Sequence, residues 1–396
     1  MTMKSSKNVR ILIFGGGNDQ LTLIEICKKR GYQTIVIDPN PAAIGKAVAD
    51  AFEVVDGQDF EGTCAVVEKH KITHIITVAT DKPLVMMARI AEKYGFEFIS
   101  TDAAINCTDK KKMKEVFIKN NIPCAKFIEI TEVPDGLDYP VVLKPKDNSG
   151  SRGVTICYNY EETQIAIKDA KRFSKSEVVL CEEFVAGKEY SLESLHYNGK
   201  TKLLQITDKK MTELPYRCEM ELTQPSLFSE EQFLKIEALV HKMAMAFGFN
   251  NCASHCEILV DGNKINVLEA SGRMAGDYIC SHLVPLSTGI NMETAALDIL
   301  LGLKPDFSNY NPKASGIYYF EYPEGVVKSV PDYSEIEKLD GVVVFKFNLK
   351  EGDRVSKIKF GPDRYGYVIL QADNREKLMN LKESIFNKIK IKVDKI

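Results

Sequence analysis

Residues 256–273 read CEILVDGNKINVLEASGR, two aliphatic and β-branched runs, CEILV and KINVLEA, on either side of Asp261-Gly262-Asn263. This is the signature of a β-hairpin. A three-residue turn centred on Asn263 sets Glu257 directly across from Glu269, with their Cβ atoms roughly 4.5–5.5 Å apart on one face. Two carboxylates placed so repel each other and weaken the hairpin unless a cation sits between them. Carboxylates suit hard Mg²⁺, above all where phosphate oxygens complete its shell. The plainer alternative is two solvated glutamates, or a register one residue off that separates them. Arg273 follows four positions after Glu269. Its forked guanidinium suits a substrate carboxylate or a transferring phosphoryl group, with a surface salt bridge as the alternative.

Two upstream segments offer phosphate and base contacts. Asp147-Asn148-Ser149-Gly150-Ser151-Arg152-Gly153 lies between YPVVLKP and VTICY, and small residues let backbone N–H groups approach phosphate oxygens. Lys144, in the preceding strand, supplies a point charge to the same phosphates. No Gly-Lys-Ser/Thr follows, so this is not a P-loop, and a plain hairpin loop is the competing reading. In LCEEFVAGKEYSLES the strand end Glu182-Glu183-Phe184-Val185 offers backbone groups to an adenine edge, and Glu189 a carboxylate for ribose hydroxyls. Taken alone, the segment is equally a hairpin with acidic residues.

From residue 9 to about 100, the strands VRILIF, QTIVID, THIITVA and FEFIS alternate with helices over 21–30, 56–70 and 83–94. That pattern predicts βαβ units and a parallel sheet. Gly15 and Gly17 fit the start of a dinucleotide fingerprint, but Gln20 stands where its third glycine belongs. A strand-to-helix turn whose N–H groups meet a substrate anion is the better expectation. A second unit opens with the helix at Asp109-Lys110 and continues through strand signals, a hairpin turn at Asn198-Gly199 and helices over 229–247 and 291–300. After Pro305 comes a smaller α/β unit, with strands near 315–321, 342–347 and 366–372 and an amphipathic helix over 376–387.

The chain has 396 residues, enough for two to four packed units. Its net charge of −3 argues against a nucleic-acid partner, which calls for a basic excess. No stretch approaches the roughly 18 apolar residues that span a bilayer, and MTMKSSKNVRILIFGGG lacks a leader's apolar core. The ten cysteines show no framework spacing, so free thiols in a reducing cytoplasm are expected. Cys252, His255 and Cys256 fit no common zinc pattern, and alternation sends the last two to opposite faces.

Together these features resemble the ATP-grasp superfamily of the carboxylate–amine ligase type, similar to L-amino-acid ligases, biotin carboxylase and carbamoyl-phosphate synthetase-like proteins. The resemblance runs in order along nearly the whole chain. It implies an α/β protein in three parts. A preATP-grasp Rossmann-like parallel sheet (1–108) precedes a two-part ATP-grasp fold (109–304), whose α+β lid over about 113–184 faces a central antiparallel sheet. A small C-terminal α/β lobe (305–396) follows. It further implies ATP contacts from Lys110, Lys144, Ser149, Gly150, Ser151 and Gly153, an adenine hinge at Glu182, Glu183, Phe184 and Val185, and a ribose carboxylate at Glu189. Mg²⁺, with Mn²⁺ as an alternative, falls to Glu257 and Glu269. Relatives carry Glu-x-Asn-x-Arg here, so Ser271 stands in for a third metal ligand and Arg273 keeps the catalytic position, with Lys144 as its catalytic companion. The implied reaction activates a small carboxylate as an acyl phosphate and couples it to an amine, releasing ADP and phosphate. A bicarbonate-activating carboxylase and a non-catalytic ATP-binding regulator are the alternatives. A homodimer is expected by analogy with relatives.

Overall fold

A computed structural model describes residues 8–146, 153–174, 177–213 and 216–394. The N-terminal sheet is parallel, in the order Ala51–Glu53, Gln33–Ile37, Arg10–Phe14, His74–Thr77. Its strands are apolar on both faces because helices cover both. FEFIS, expected as the fourth strand, is not one, and Ala51–Glu53 takes that place. The segment is used up between two helix ends: Phe96 N–H closes on Ala91 C=O, and Ser100 caps the next helix, Thr101–Thr108. Ile99 is buried in passing.

The central sheet has eight strands, in the order Lys264–Ser271, Cys252–Asp261, Lys188–Tyr197, Lys200–Met211, Glu219–Gln224, Ala314–Tyr319, Gly366–Ala372, Val342–Phe347. Residues beyond 305 therefore extend the same sheet and do not build a sheet of their own at that boundary, apart from a three-stranded one of Gly325–Ser329, Arg354–Val355 and Lys392–Asp394. One core joins the N-terminal helices to the helix Glu230–Phe247 and the back of the central sheet. In it Phe117 meets Phe247 edge-on, with ring centroids 5.6 Å apart. Each such fully buried side chain contributes about 1.5–3 kcal/mol, which fixes the N-terminal unit against the sheet.

A separate antiparallel sheet, Phe127–Ile130, Val179–Glu183, Val141–Pro145, Thr155–Cys157, forms the lid. The helix Tyr160–Arg172 covers it, and Asn159 caps that helix by accepting from Glu162 N–H.

The 252–271 hairpin brings Glu257 opposite Glu269 by an unexpected route. Asp261 pairs with Lys264, so the loop is Gly262-Asn263 alone, and Ile258 pairs with Val267. Continued without a break, that register would set Glu269 across from Cys256, on the wrong face. A bulge at Leu268 adds one residue and returns Glu269 to Glu257.

Candidate active site

Two clefts meet at that glutamate pair. The first lies between lid and central sheet, a space of about 1090 Å³ that includes open solvent. Met113, Val142, Ile156, Leu259 and Leu268 give it apolar wall, and lysines and carboxylates converge on it from both sides. Lys110, Lys144, Glu182, Glu183, Phe184, Val185, Glu189, Glu257 and Glu269 all line it. Gly153 lies beside it at φ +77°, where a Cβ would stand 2.8 Å from Pro145. Ser149, Gly150 and Ser151 lie outside the described residues.

Several of these side chains have partners that the sequence did not suggest. Glu182 is buried and accepts from Lys144 Nζ at 2.9 Å and Lys114 Nζ at 3.2 Å. Burial alone would raise Glu182, but the two lysines hold it below the ordinary carboxylate range. Burial opposes the charge on Lys144 too, and Glu182 outweighs it and holds that lysine above its ordinary value. The Glu182 side chain thus anchors two lysines. In the segment expected as the hinge, the N–H groups of Glu183 and Phe184 donate to the Lys126 and Pro140 carbonyls.

Glu189 is partnered in the same way. Its oxygens accept from Lys209 Nζ at 2.8 Å and Arg217 Nη2 at 2.6 Å, so each has one lone pair left for a hydroxyl. Lys209 is the centre of this floor. Its ammonium also reaches Glu257 at 2.6 Å and Glu219 at 3.4 Å, and its side chain is 2 % exposed. Burial disfavours that charge, yet Glu189, Glu257 and Glu219 hold it well above its ordinary value. Glu257, raised by burial, is carried well below its range by Lys209 and His255.

The second cleft runs from the same glutamates toward the N-terminal domain, lined by Asp19, Asp81, Ser191, His255, Arg273 and Asp277 among others. Arg273 grips Asp81 through Nε at 2.9 Å and Nη2 at 2.6 Å. Burial pushes Asp81 up, and Arg273 and Ser271 more than reverse it. Ser271, expected as a metal ligand, donates its hydroxyl to Asp81 Oδ1 at 2.6 Å and lines neither cleft. It pairs with His255 across the hairpin, two residues along from the Glu257–Glu269 pair and on the same face.

His255 Nδ1 donates to Glu193 at 2.8 Å; burial lowers the imidazole, and Glu193 more than reverses this and raises it to about 9. Cys256 turns into the core on the opposite face, and all ten cysteines are free. The amides of the glycine turn donate to the chain's own acceptors. Gly16 N–H donates to Asp38 at 2.8 Å and Gly17 N–H to Gln20 at 2.9 Å, while Gln20 locks onto Val78 C=O.

The donor set fits a divalent ion in one respect. Glu269 lines both clefts and has no ion pair among the described residues, and Glu257 shares its face. No group of three or more His, Cys, Asp or Glu forms a complete metal cage among the described residues, so further oxygens have to come from a ligand. No helix of the described residues is long and apolar enough to cross a membrane.

Residues 137–281 match the model of the ATP-grasp domain, and residues 318–394 that of the L-amino acid ligase C-terminal domain 2. An alanine–anticapsin ligase of Bacillus subtilis (strain 168) is 26 % identical over 255 residues, 57 % of this chain and 53 % of that protein, so the match spans about half of its length. An L-arginine-specific L-amino acid ligase of Bacillus subtilis is 24 % identical over 302 residues, 72 % of this chain and 71 % of that one. Among solved structures, an L-amino acid ligase from Bacillus licheniformis superposes with a TM-score of 0.85 at 18 % identity, covering 98 % of this chain and 100 % of that chain.

Proposed function

We infer that a chain carrying an ATP-grasp domain and an L-amino acid ligase C-terminal domain is an ATP-dependent carboxylate–amine ligase, working where its two clefts meet. The observation that carries this reading is the position of Glu257 and Glu269, which line both clefts. ATP fills the first cleft with its phosphates toward Lys144 and Lys110, and a small carboxylate enters the second. Mg²⁺, held by Glu257 and Glu269, supplies charge neutralisation for in-line phosphoryl transfer when bound.

The rest falls to the chain's own groups. Lys144, steadied by Glu182, holds the transferring phosphoryl group, and the lid excludes water that would hydrolyse an acyl phosphate. Arg273 is fixed by Asp81, and its remaining Nη hydrogens face the oxyanion that develops as the amine attacks. No protein nucleophile is needed. Products are ADP, phosphate and an amide.

Phosphate release from ATP and Mg²⁺ across single amino acids, amino-acid pairs and bicarbonate tests this. Release that requires one acid, with a coupled amide found by mass spectrometry, supports the reading. Release driven by bicarbonate alone replaces it with a carboxylating reaction, and ATP binding without product under every combination overturns it.

A further inference from the structure

The second cleft holds more negative charge than its own groups balance. Asp81 is neutralised by Arg273, Glu219 and Glu257 share Lys209, and Arg364 reaches both oxygens of Asp277 at 3.0 and 3.1 Å. Apart from Glu269 at the phosphate end, Asp19 is the one carboxylate of this cleft without an ion pair among the described residues. It sits in the first turn of the helix Asn18–Lys29 and accepts from the backbone N–H groups of Tyr278 and Asp277, which hold it in place. Burial, and then the neighbouring Asp277, raise it to about 6, as expected for a carboxylate short of positive charge.

A second feature of the same cleft also calls for a ligand. Ser191 is 1 % exposed and its hydroxyl has no hydrogen-bond partner among the described residues, although it lines the cleft beside Glu257. Buried hydroxyls are rarely left so unless a bound molecule or water meets them. The approach to Asp19 is kept open by Gly276, where a Cβ would stand 2.9 Å from Ala79 Cβ and 3.7 Å from Asp19 Oδ1. The cleft is thus bipolar, with Lys209, Arg273 and His255 toward the phosphate end and Asp19 beyond them.

We propose that Asp19 anchors an organic cation, an ammonium group of the substrate that enters this cleft. The ammonium comes from either of two places, the α-amino group of an amino acid or a charged side chain. The proposal rests on the ligase reading only in calling the ligand a substrate, so binding is measured without turnover.

Calorimetry on the full chain would compare L-alanine with propionate and L-lysine with L-norleucine, for the unsubstituted protein and for Asp19→Asn. Asn keeps an oxygen for the two backbone donors, and its unfolding temperature and Mg·ATP affinity report whether the variant folds. Asp19→Ser repeats the comparison should it not. In at least one pair the ammonium is expected to tighten binding about tenfold or more, and the substitution to remove that advantage. The affected pair tells which ammonium Asp19 meets. No advantage in either pair, or an advantage that survives Asp19→Asn, overturns the proposal. Failure of the ligase reading shows up separately, as ATP hydrolysis without an acid requirement, and leaves the binding contrast intact.

Discussion

Replacing Asp81 by Asn separates two roles of the N-terminal domain, holding Arg273 and holding the fold. In the protein, Asp81 Oδ1 accepts from Ser271 Oγ at 2.6 Å and Arg273 Nε at 2.9 Å, and Oδ2 accepts from Arg273 Nη2 at 2.6 Å. An Asn oxygen serves the first two donors, but its NH₂ then faces Nη2, donor against donor. One charge-assisted hydrogen bond is lost, about 1.5–3 kcal/mol. The guanidinium is also left without its counter-charge, at a site where the two side chains are only 11 % and 13 % exposed. Removing one partner of a buried pair costs about 3–5 kcal/mol, and residual exposure places this site near the lower end, about 3 kcal/mol. Urea unfolding reads that directly. Turnover should fall further, by about 10²–10³-fold, because Arg273 no longer points at the reacting centre. A variant within about 0.5 kcal/mol of the parent and with unchanged turnover would refute both the pairing and its purpose.

Three other outcomes are expected. Glu269→Gln should abolish Mg²⁺-dependent ATP turnover with the unfolding temperature preserved, since Glu269 has no ion pair among the described residues to lose; near-normal turnover would remove it from the metal site. Lys144→Ala should weaken ATP binding about 10–100-fold by fluorescence titration while Lys114 continues to neutralise Glu182, and unchanged affinity would take Lys144 out of the nucleotide site. Glu293 is fully buried with both oxygens unpartnered, and burial, then Asp19, raise it from 4.5 to about 8. The folded state keeps a proton that the unfolded state releases, so stability falls as pH rises from about 4.5 to 8. Glu293→Gln should therefore be more stable than the parent at pH 8, by roughly 2–4 kcal/mol, with little difference at pH 4.5; equal stability at both would contradict the buried, protonated state.

The α/β architecture was legible because apolar strands separated by helices, and a Gly-Asn turn between β-branched runs, are local signals. The failures are local signals overridden by distant ones. FEFIS has strand composition, but a helix end and a helix cap at its two ends leave it no room to pair. The glutamate pairing came out as expected although the turn was misjudged, because a bulge at Leu268, which no short-range pattern announces, compensates a shorter loop. The partners of the site residues were hidden for another reason. Lys114 meets Glu182, Lys209 meets Glu189 and Glu257, and Asp81 meets Arg273 and Ser271 across long stretches of chain. A sequence shows which residues carry charge and not which charges the fold neutralises. Hence Glu182 and Glu189 read as open ligand groups, and Asp19 and His255 drew no attention as cleft residues.

The most direct test of acyl-phosphate formation follows an oxygen atom. Once the required acid is known, it is supplied with both carboxylate oxygens labelled as ¹⁸O, together with ATP, Mg²⁺ and the amine, and the released phosphate is examined by mass spectrometry. Attack of the carboxylate on the γ-phosphorus, followed by displacement by the amine, carries one labelled oxygen into each phosphate formed. Phosphate that carries no label while the amide accumulates would contradict the mechanism at its first step.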